Sequence, residues 1–169
     1  MNILNKFFFI LIFFFFSNQV LAENNIFYID VDYIIKNSNK GKSIISQLEK
    51  INQANINKFQ KEQTKLVDLE NDIKLKKNVI NEEELKKKIK NFNDMINSFN
   101  EEKKKINNEF KKKRDMELKN FFSQIEELVK VYVKEKSIDI LIDKKNIFIG
   151  KSSYDVTSNV LKIINENIK

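Results

Sequence analysis

Two strand-like segments, IFYIDV (Ile26–Val31) and IDILIDKKNIFI (Ile138–Ile149), stand at the ends of a stretch of about a hundred residues without proline. The first segment is short and rich in β-branched and aromatic residues, which favours a mostly buried strand with Asp30 near its end. The second predicts a β-hairpin, with strands at Ile138–Asp143 and Ile147–Ile149 and a turn at residues 144–146. Strands so distant in sequence can pair only if the chain between them runs out and returns.

The chain between these segments has the pattern of two long helices. Neither glycine nor proline occurs between Gly41 and Gly150, and apolar residues recur three and four positions apart. In the first helix, of about 40 residues, they are Ile44, Ile45, Leu48 and Ile51, and then, at coiled-coil spacing, Phe59, Leu66, Ile73 and Ile80. In the second helix, of about 55 residues, they are Leu85, Ile89, Phe92, Ile96, Phe99, Ile106 and Phe110, followed one residue late by Arg114, Leu118, Phe121, Ile125, Leu128 and Tyr132.

This pattern predicts an α+β fold that is mainly α. A small β-sheet body would carry a long, protruding, antiparallel helical coiled-coil hairpin. Helices of these lengths would extend roughly 60 and 80 Å. Such a shape suggests an arm or clamp and not a catalytic pocket.

Polar residues mark the predicted helix ends. Residues Asn37–Lys40 read as a connector before the first long helix. The hairpin tip is expected near residues 78–84, where Asn81 can cap the second helix and Glu84 stands at the matching capping-box position. Ser152 and Asp155 form the same pattern and predict a final helix that begins near Ser152.

The first 22 residues have the pattern of a secretory signal peptide. Lys6 precedes an unbroken run of ten apolar residues, Phe7–Phe16, and Val20-Leu21-Ala22 offers a cleavage site. A membrane anchor is the alternative, but ten helical residues span about 15 Å, half of the hydrocarbon core of a bilayer. We therefore expect a soluble protein that is exported by means of a cleaved signal peptide.

Composition argues against several classes of activity. Histidine and cysteine are absent, which removes the commonest acid–base group, the thiol nucleophile, disulfides and lipid attachment at cysteine. The segment Gly41-Lys42-Ser43 lacks the glycine that a phosphate-binding loop needs five residues earlier, where Lys36 stands. Gly41 is interpreted instead as relief from crowding at the entry to the first long helix. The run Glu82–Glu84 is interpreted as a helix start. We expect no enzyme activity, no cofactor and no metal.

Charge is concentrated in the helical stretch. Without residues 1–22 the chain loses only Lys6 among its charged residues, so its net charge falls from +7 to +6. Between Lys58 and Lys119 there are 18 basic and 13 acidic residues. The basic runs are Lys86, Lys87 and Lys88; Lys103, Lys104 and Lys105; and Lys111, Lys112, Lys113 and Arg114. They are either a solvated helix face, enriched in lysine by compositional bias, or an electropositive surface that binds or steers acidic partners.

The closing helix carries a local signature. The segment Asp155-Val156-Thr157-Ser158-Asn159-Val160-Leu161 is similar to the Asp-[Ile/Val]-Thr-x-x-Val-Leu motif of the Skp/OmpH family of periplasmic chaperones. The opening strand with its acid, the polar connector and Gly41-Lys42 resemble the same family. The resemblance covers essentially the whole chain after residue 22.

The resemblance implies a homotrimer with a β-barrel body and three helical hairpins that enclose unfolded outer-membrane proteins, without a nucleotide. The chain would divide into the signal peptide (1–22), a first part of the body (23–50), the helical arm (51–125) and a second part of the body (126–169). The residues expected in the body or trimer core are Ile26, Tyr28, Ile140, Ile142, Val156, Val160 and Ile164.

The resemblance therefore implies an ATP-independent holdase chaperone in the periplasm for unfolded outer-membrane proteins. The alternative is a structural coiled-coil protein that spaces or tethers envelope layers. Anionic lipid or lipopolysaccharide is a further expected partner, bound through weak contacts. A nucleic-acid partner is disfavoured by export and by the lack of aromatic residues on the lysine face. Core packing is the default role of Phe92, Phe99 and Phe110.

Overall fold

The computed structural model describes residues 25–169, so the predicted signal peptide lies outside the described residues. Strand β1 spans Ile26–Ile29, helix α1 Val31–Asn37, helix α2 Asn39–Lys76, helix α3 Glu82–Glu135, strand β2 Ile140–Asp143 and helix α4 Thr157–Asn167. Two 3₁₀ turns, Lys144–Asn146 and Ser152–Tyr154, lie between β2 and α4. The protein is thus mainly helical with a small sheet, which confirms the broad fold class.

The sheet is a two-stranded parallel pair and not a hairpin. Strand β1 pairs with β2 in a register that places Ile26 opposite Ile140 and Ile29 opposite Asp143. The predicted hairpin at Ile138–Ile149 is therefore wrong. Asp143 accepts a hydrogen bond from the backbone N–H of Lys145 and caps a 3₁₀ turn, so the chain leaves the sheet instead of folding back along β2.

The start of the sheet is held by Asn25. Its backbone N–H donates to the carboxylate of Asp139 at 2.9 Å, and its carbonyl accepts from the backbone N–H of Asp139. Its side chain donates to the carbonyl of Ser137, a residue with a positive φ of 51°. These bonds join the first described residue to the turn that follows α3, which fixes where β2 begins.

A helix that the sequence did not predict follows β1. The side chain of Asp30 accepts from the backbone N–H of Tyr33 at 2.8 Å, so it caps α1. The predicted connector Asn37–Lys40 is also wrong, because buried Ser38 alone separates α1 from α2, and its hydroxyl accepts from the N–H of Gly41. A Cβ added to Gly41 would lie 1.9 Å from the carbonyl oxygen of Ile35, so this close approach requires glycine.

Helices α2 and α3 pack as an antiparallel pair. Asn81 accepts from the backbone N–H of Glu84 at 2.8 Å and caps α3, as predicted. The rings of Phe59 and Phe99 meet edge to face across the two helices, with centroids 6.3 Å apart. The helices contain 38 and 54 residues, and the supercoil of a coiled coil stays a prediction.

The inward stripe of α3 differs from the predicted one at two positions. Ile89 and Arg114 are exposed, although the spacing placed both on the stripe. After Phe110 the half-buried positions are Leu118, which lies on the predicted stripe, and Lys113 and Glu117, which form an ion pair at 3.5 Å. The inward-facing repeat of α3 therefore includes charged residues, which a search for regularly spaced apolar residues does not find.

The buried core lies at the end of the molecule that carries the sheet. It joins Ile29, Ile34 and Ile44 to Phe121, Ile125 and Tyr132 of α3 and to the inner face of α4. Val160 and Ile164 are 0% exposed, and Tyr28 and Val156 are also buried. Ile26 and Ile140 are 41% and 50% exposed, and Ile142 is half-buried, so these three are not covered within one chain. No core-cluster residue comes from the described segment 51–120.

The last helix begins later than predicted. Residues Ser152–Tyr154 form a 3₁₀ turn, and α4 starts at Thr157. The cause is a bridge between Tyr28 and Asp155, in which the backbone N–H of Val156 donates to the carbonyl of Tyr28. Because of this bridge, the chain runs beside β1 as far as Asp155, and the helix begins only after that residue.

We predict that Val160→Asp unfolds the body while the long helices keep much of their helix content. An unpaired carboxylate at this fully buried site costs about 3–5 kcal/mol or forces protonation. Thermal unfolding followed by circular dichroism would show a lost or strongly lowered transition. The control is Lys162→Asp on the exposed face of α4, which should unfold like the wild type. A Val160→Asp protein as stable as this control would contradict the packing assigned to α4.

Candidate functional site

Three surface features of the described residues are candidates for a functional site. No group of three or more histidine, cysteine, aspartate or glutamate residues in the range 25–169 is arranged to hold a metal ion. Within the same range, no helix is both long and apolar enough to cross a membrane. The features that remain are a polar junction beside the sheet, the charged surface of α2 and α3, and an exposed apolar edge of the body.

The polar junction lies at the carboxyl ends of the two strands. Its cavity is lined by Asp30, Asp32, Tyr33, Lys36, Asp143, Lys144 and Lys145. The ammonium group of Lys144 lies 3.4 Å from a carboxylate oxygen of Asp155 and 3.7 Å from one of Asp30. One lysine therefore connects the chain after β2 with the end of β1 and with the start of α4.

Two carboxylates of this junction, Asp155 and Asp143, have a lowered pKa. Burial alone would raise the pKa of Asp155, but hydrogen bonds from Thr157 and Lys144 outweigh it and hold the pKa below its ordinary value. The hydrogen bond to Asp155 in turn raises the pKa of Lys144. The bond from the Lys145 side chain lowers the pKa of Asp143. Charged groups that neutralise each other in this way stabilise a fold and are poorly suited to proton transfer.

The ten predicted basic residues differ in their surroundings. Four of them form ion pairs on α3 or with α2: Lys86 with Glu82, Lys88 with Asp72, Lys113 with Glu117, and Arg114 with Asp115. Most of these pairs are exposed and contribute little to stability. The pair between Lys88 and Asp72 differs, because it joins the two helices near their tip.

Lys103 has a role that its place in a lysine run did not suggest. Its ammonium group lies 5.9 Å from the ring centroids of both Phe59 and Phe99. This is the geometry of a cation–π contact, so Lys103 covers the aromatic pair that joins α2 to α3. The signal in the sequence was its position four residues after Phe99, on the inward face of the helix.

The remaining predicted basic residues are free to meet a partner. Lys87, Lys104, Lys105, Lys111 and Lys112 are exposed, and no ion pair is found for them within the described residues. Lys105 lies beside the groove that Lys58 of α2 also lines, whereas the other four lie elsewhere on α3, so the ten residues form no single cluster. This placement leaves both interpretations of the basic runs open.

The body exposes a row of large apolar side chains. Phe148 is fully exposed and Ile149 nearly so, in the segment that follows the 3₁₀ turn after β2. Ile26 and Ile140, paired in register, are also exposed. Large exposed apolar side chains are typical of interaction surfaces where they form a contiguous patch.

Comparison with known proteins identifies the relationship. The model of the family "Outer membrane protein (OmpH-like)" matches residues 25–164. The chain belongs to the OmpH-like family. Its fold matches the crystal structure of a candidate OmpH-like outer membrane chaperone from Caulobacter crescentus CB15, with a TM-score of 0.77 and 16% identity over 88% of each chain. Comparison with curated proteins found no match. At this identity the structural likeness shows the fold.

We predict that acid weakens the body through Asp155. Because its pKa is lower in the folded state, its ionisation stabilises the fold above the unfolded value, near pH 4, and this stabilisation is lost as pH falls through the folded pKa. Lys144→Met removes one of the partners of Asp155. The unfolding temperature of this variant should therefore decrease less than that of the wild type as the pH falls from about 5 to 3. Lys151→Met, in the same region, is the control. Equal acid sensitivity in both variants would show that Lys144 does not stabilise the junction.

Proposed function

We propose that this OmpH-like protein is an ATP-independent periplasmic holdase that binds unfolded outer-membrane proteins and prevents their aggregation. The observation that carries the proposal is the outer part of the long helical pair, residues 51–120, which contributes no residue to the buried core and is exposed or half-buried throughout. Family membership supports the same reading, since the matching model is that of an OmpH-like family. The predicted signal peptide supports an exported location.

The working form that we propose is a homotrimer. A two-stranded sheet is marginal by itself. One face of this pair keeps Ile26 and Ile140 exposed, and Phe148 and Ile149 follow without cover. Neighbouring copies would cover these side chains, and the segment 147–149, which is no strand in one chain, would pair with a neighbour. Residues 51–125 would then be three arms around a shared space.

Capture would combine long-range attraction with many weak contacts. The exposed lysines on α3 attract acidic clients over distances that salt shortens, since the Debye length is about 8 Å at physiological ionic strength. Release needs no chemical step, because a client that folds into a membrane withdraws the surface that the arms contact. Anionic lipid or lipopolysaccharide is a further weak partner of the same lysines.

The first test is assembly. Light scattering should give the mass of a trimer for the mature protein and that of a monomer for Phe148→Asp, because a carboxylate buried in the interface lacks a partner. Leu75→Asp, an equally apolar and exposed site on the outer part of α2, is the matched control and should remain trimeric. A monomeric wild type at micromolar concentration would contradict the trimer.

The second test is capture of a client. A β-barrel outer-membrane protein diluted from urea should stay soluble with the chaperone and aggregate without it, and no protection would contradict the proposed function. Lys104→Glu/Lys112→Glu should slow capture more than it weakens the final complex, because steering acts on association. Lys42→Glu/Lys162→Glu, which changes the net charge equally outside the arm, is the control. If the capture rate of the wild type did not depend on salt concentration, these lysines would be only a solvated helix face without a role in steering.

A further inference from the structure

The acidic residues in the outer part of the helical pair lie to one side of it. In the described segments 52–67 of α2 and 93–107 of α3 they are Glu62, Asp94, Glu101 and Glu102. All four line the grooves between the helices, on the flank that the ion pair of Lys58 with Glu102 crosses. This side is here called the groove flank.

Lys103 lies on the opposite flank. At about 100° per residue, Glu102 lies about 60° to one side of Phe99, whereas Lys103 lies about 40° to the other side. On α2, Ile56 lies about 60° to the same side of Phe59 as Lys103 does of Phe99. In an antiparallel pair, equal rotation on the two helices points to the same flank, so Ile56 and Lys103 share one surface, here called the Lys103 flank.

No ion pair is found for Lys103 within residues 25–169. The residues three and four positions from it on its own helix are not acidic: they are Phe99, Asn100, Ile106 and Asn107. On α2, the acidic residue of segment 52–67 is Glu62, which pairs with Lys65 and lines a groove on the other flank. Lys104 and Lys105 differ, because each has an acidic residue three or four positions away.

The ammonium group of Lys103 is held in place before any partner arrives. It lies 5.9 Å from the ring centroids of both Phe59 and Phe99, which are half-buried. Exposed ion pairs contribute little, partly because two long side chains must be ordered to form them. A carboxylate that meets Lys103 has less of this cost, because one of the two side chains is already positioned. Beside it, Ile56 is 38% exposed and offers an apolar contact.

We infer that Lys103, together with Ile56 and the two rings, binds a carboxylate of the client that has apolar residues next to it in sequence. This inference rests on the proposed chaperone function and names the chemical feature that one point of the arm recognises. Strands of outer-membrane barrels alternate apolar and polar side chains, so an acidic residue of such a strand has apolar neighbours.

The unfolded state of the client makes this contact possible. In a folded strand, neighbouring side chains point to opposite faces of the sheet. In an unfolded chain they are not fixed in this way, so the carboxylate can meet the ammonium group of Lys103 while an apolar neighbour packs against Ile56. Apolar contact of this kind favours such a segment over a hydrated lipid phosphate, which would use the charge alone.

Zero-length crosslinking tests the contact directly. A water-soluble carbodiimide joins a lysine amine to a carboxylate in contact with it, as an amide bond. With a urea-unfolded β-barrel protein bound to the mature chaperone, mass spectrometry should find Lys103 joined to client aspartate or glutamate flanked by apolar residues. Lys104, the next lysine of the same run, is the control and should give a lower yield. Equal yields at the two lysines, or client joined only at other lysines, would overturn the inference.

Dissociation of the client complex provides the second measurement. Lys103→Met removes the charge but keeps an unbranched side chain that can cover the rings, and dissociation should become about two- to fivefold faster. Lys103→Arg keeps the charge and should dissociate like the wild type. Lys104→Met loses the same charge and should leave the dissociation rate unchanged. A client whose acidic residues are replaced by asparagine and glutamine should dissociate equally from Lys103→Met and from the wild type.

The outcomes separate this inference from the function on which it rests. Circular dichroism and light scattering check that the variants fold and assemble. Equal dissociation from Lys103→Met and Lys104→Met, with client protection intact, overturns the inference alone. If Lys103→Met released client normally but lost binding to vesicles of anionic lipid, Lys103 would bind lipid headgroups, and the inference would also be wrong. A wild type that protects no client contradicts the proposed function itself.

Discussion

The parallel pairing of β1 with β2 is the constraint on which the rest of the structure depends. Ile29 and Ile140 lie about 110 residues apart, and parallel strands require a crossover between them. Closing so long a loop costs roughly 4 kcal/mol in chain entropy before any strand contact forms. The helical pair offsets this cost, because α2 and α3 pack against each other on either side of the Asn81 turn and hold the two strands in one place. The long helical pair and the small sheet therefore depend on each other, because the pair brings the two strands to one place.

The same constraint explains why the two ends of the helical pair are built differently. At the body, Phe121 and Ile125 of α3 meet Ile44 of α2 and α4 in a dry core. Farther out, two helices alone cannot bury a side chain fully, and the contacts become half-buried rings, the cation over Phe59 and Phe99, and ion pairs. The pair formed by Lys113 and Glu117 lies between these two regions. The body thus holds most of the stability, and the outer helices remain exposed surface held by weak contacts.

Sequence reasoning succeeded where the signal was local or periodic. Heptad spacing predicted both long helices, and Asn81 predicted their turn, because a cap is a contact between residues three positions apart. It failed where the structure depends on contacts between segments that are distant in sequence. Short apolar runs carry no information on strand direction, so parallel pairing was missed, and Asp30 was assigned to the end of a strand although its side chain caps α1. Lys103 was counted as surface because its ring partners lie on another helix as well as its own.

A chaperone of the proposed kind needs contacts that are numerous and individually weak, and the outer part of the helical pair suits that role. Its exposed apolar side chains, Ile56, Val67 and Ile89, are scattered among polar residues, and each is too small a patch to hold a folded protein. Ion pairs between the helices, such as Lys58 with Glu102, keep this surface hydrated, since removing such a pair from water is costly. An unfolded client would differ from a folded protein, because its backbone is unpaired and its chain could meet several such patches at once. Contacts of this kind would last only until a membrane offers the client full backbone pairing.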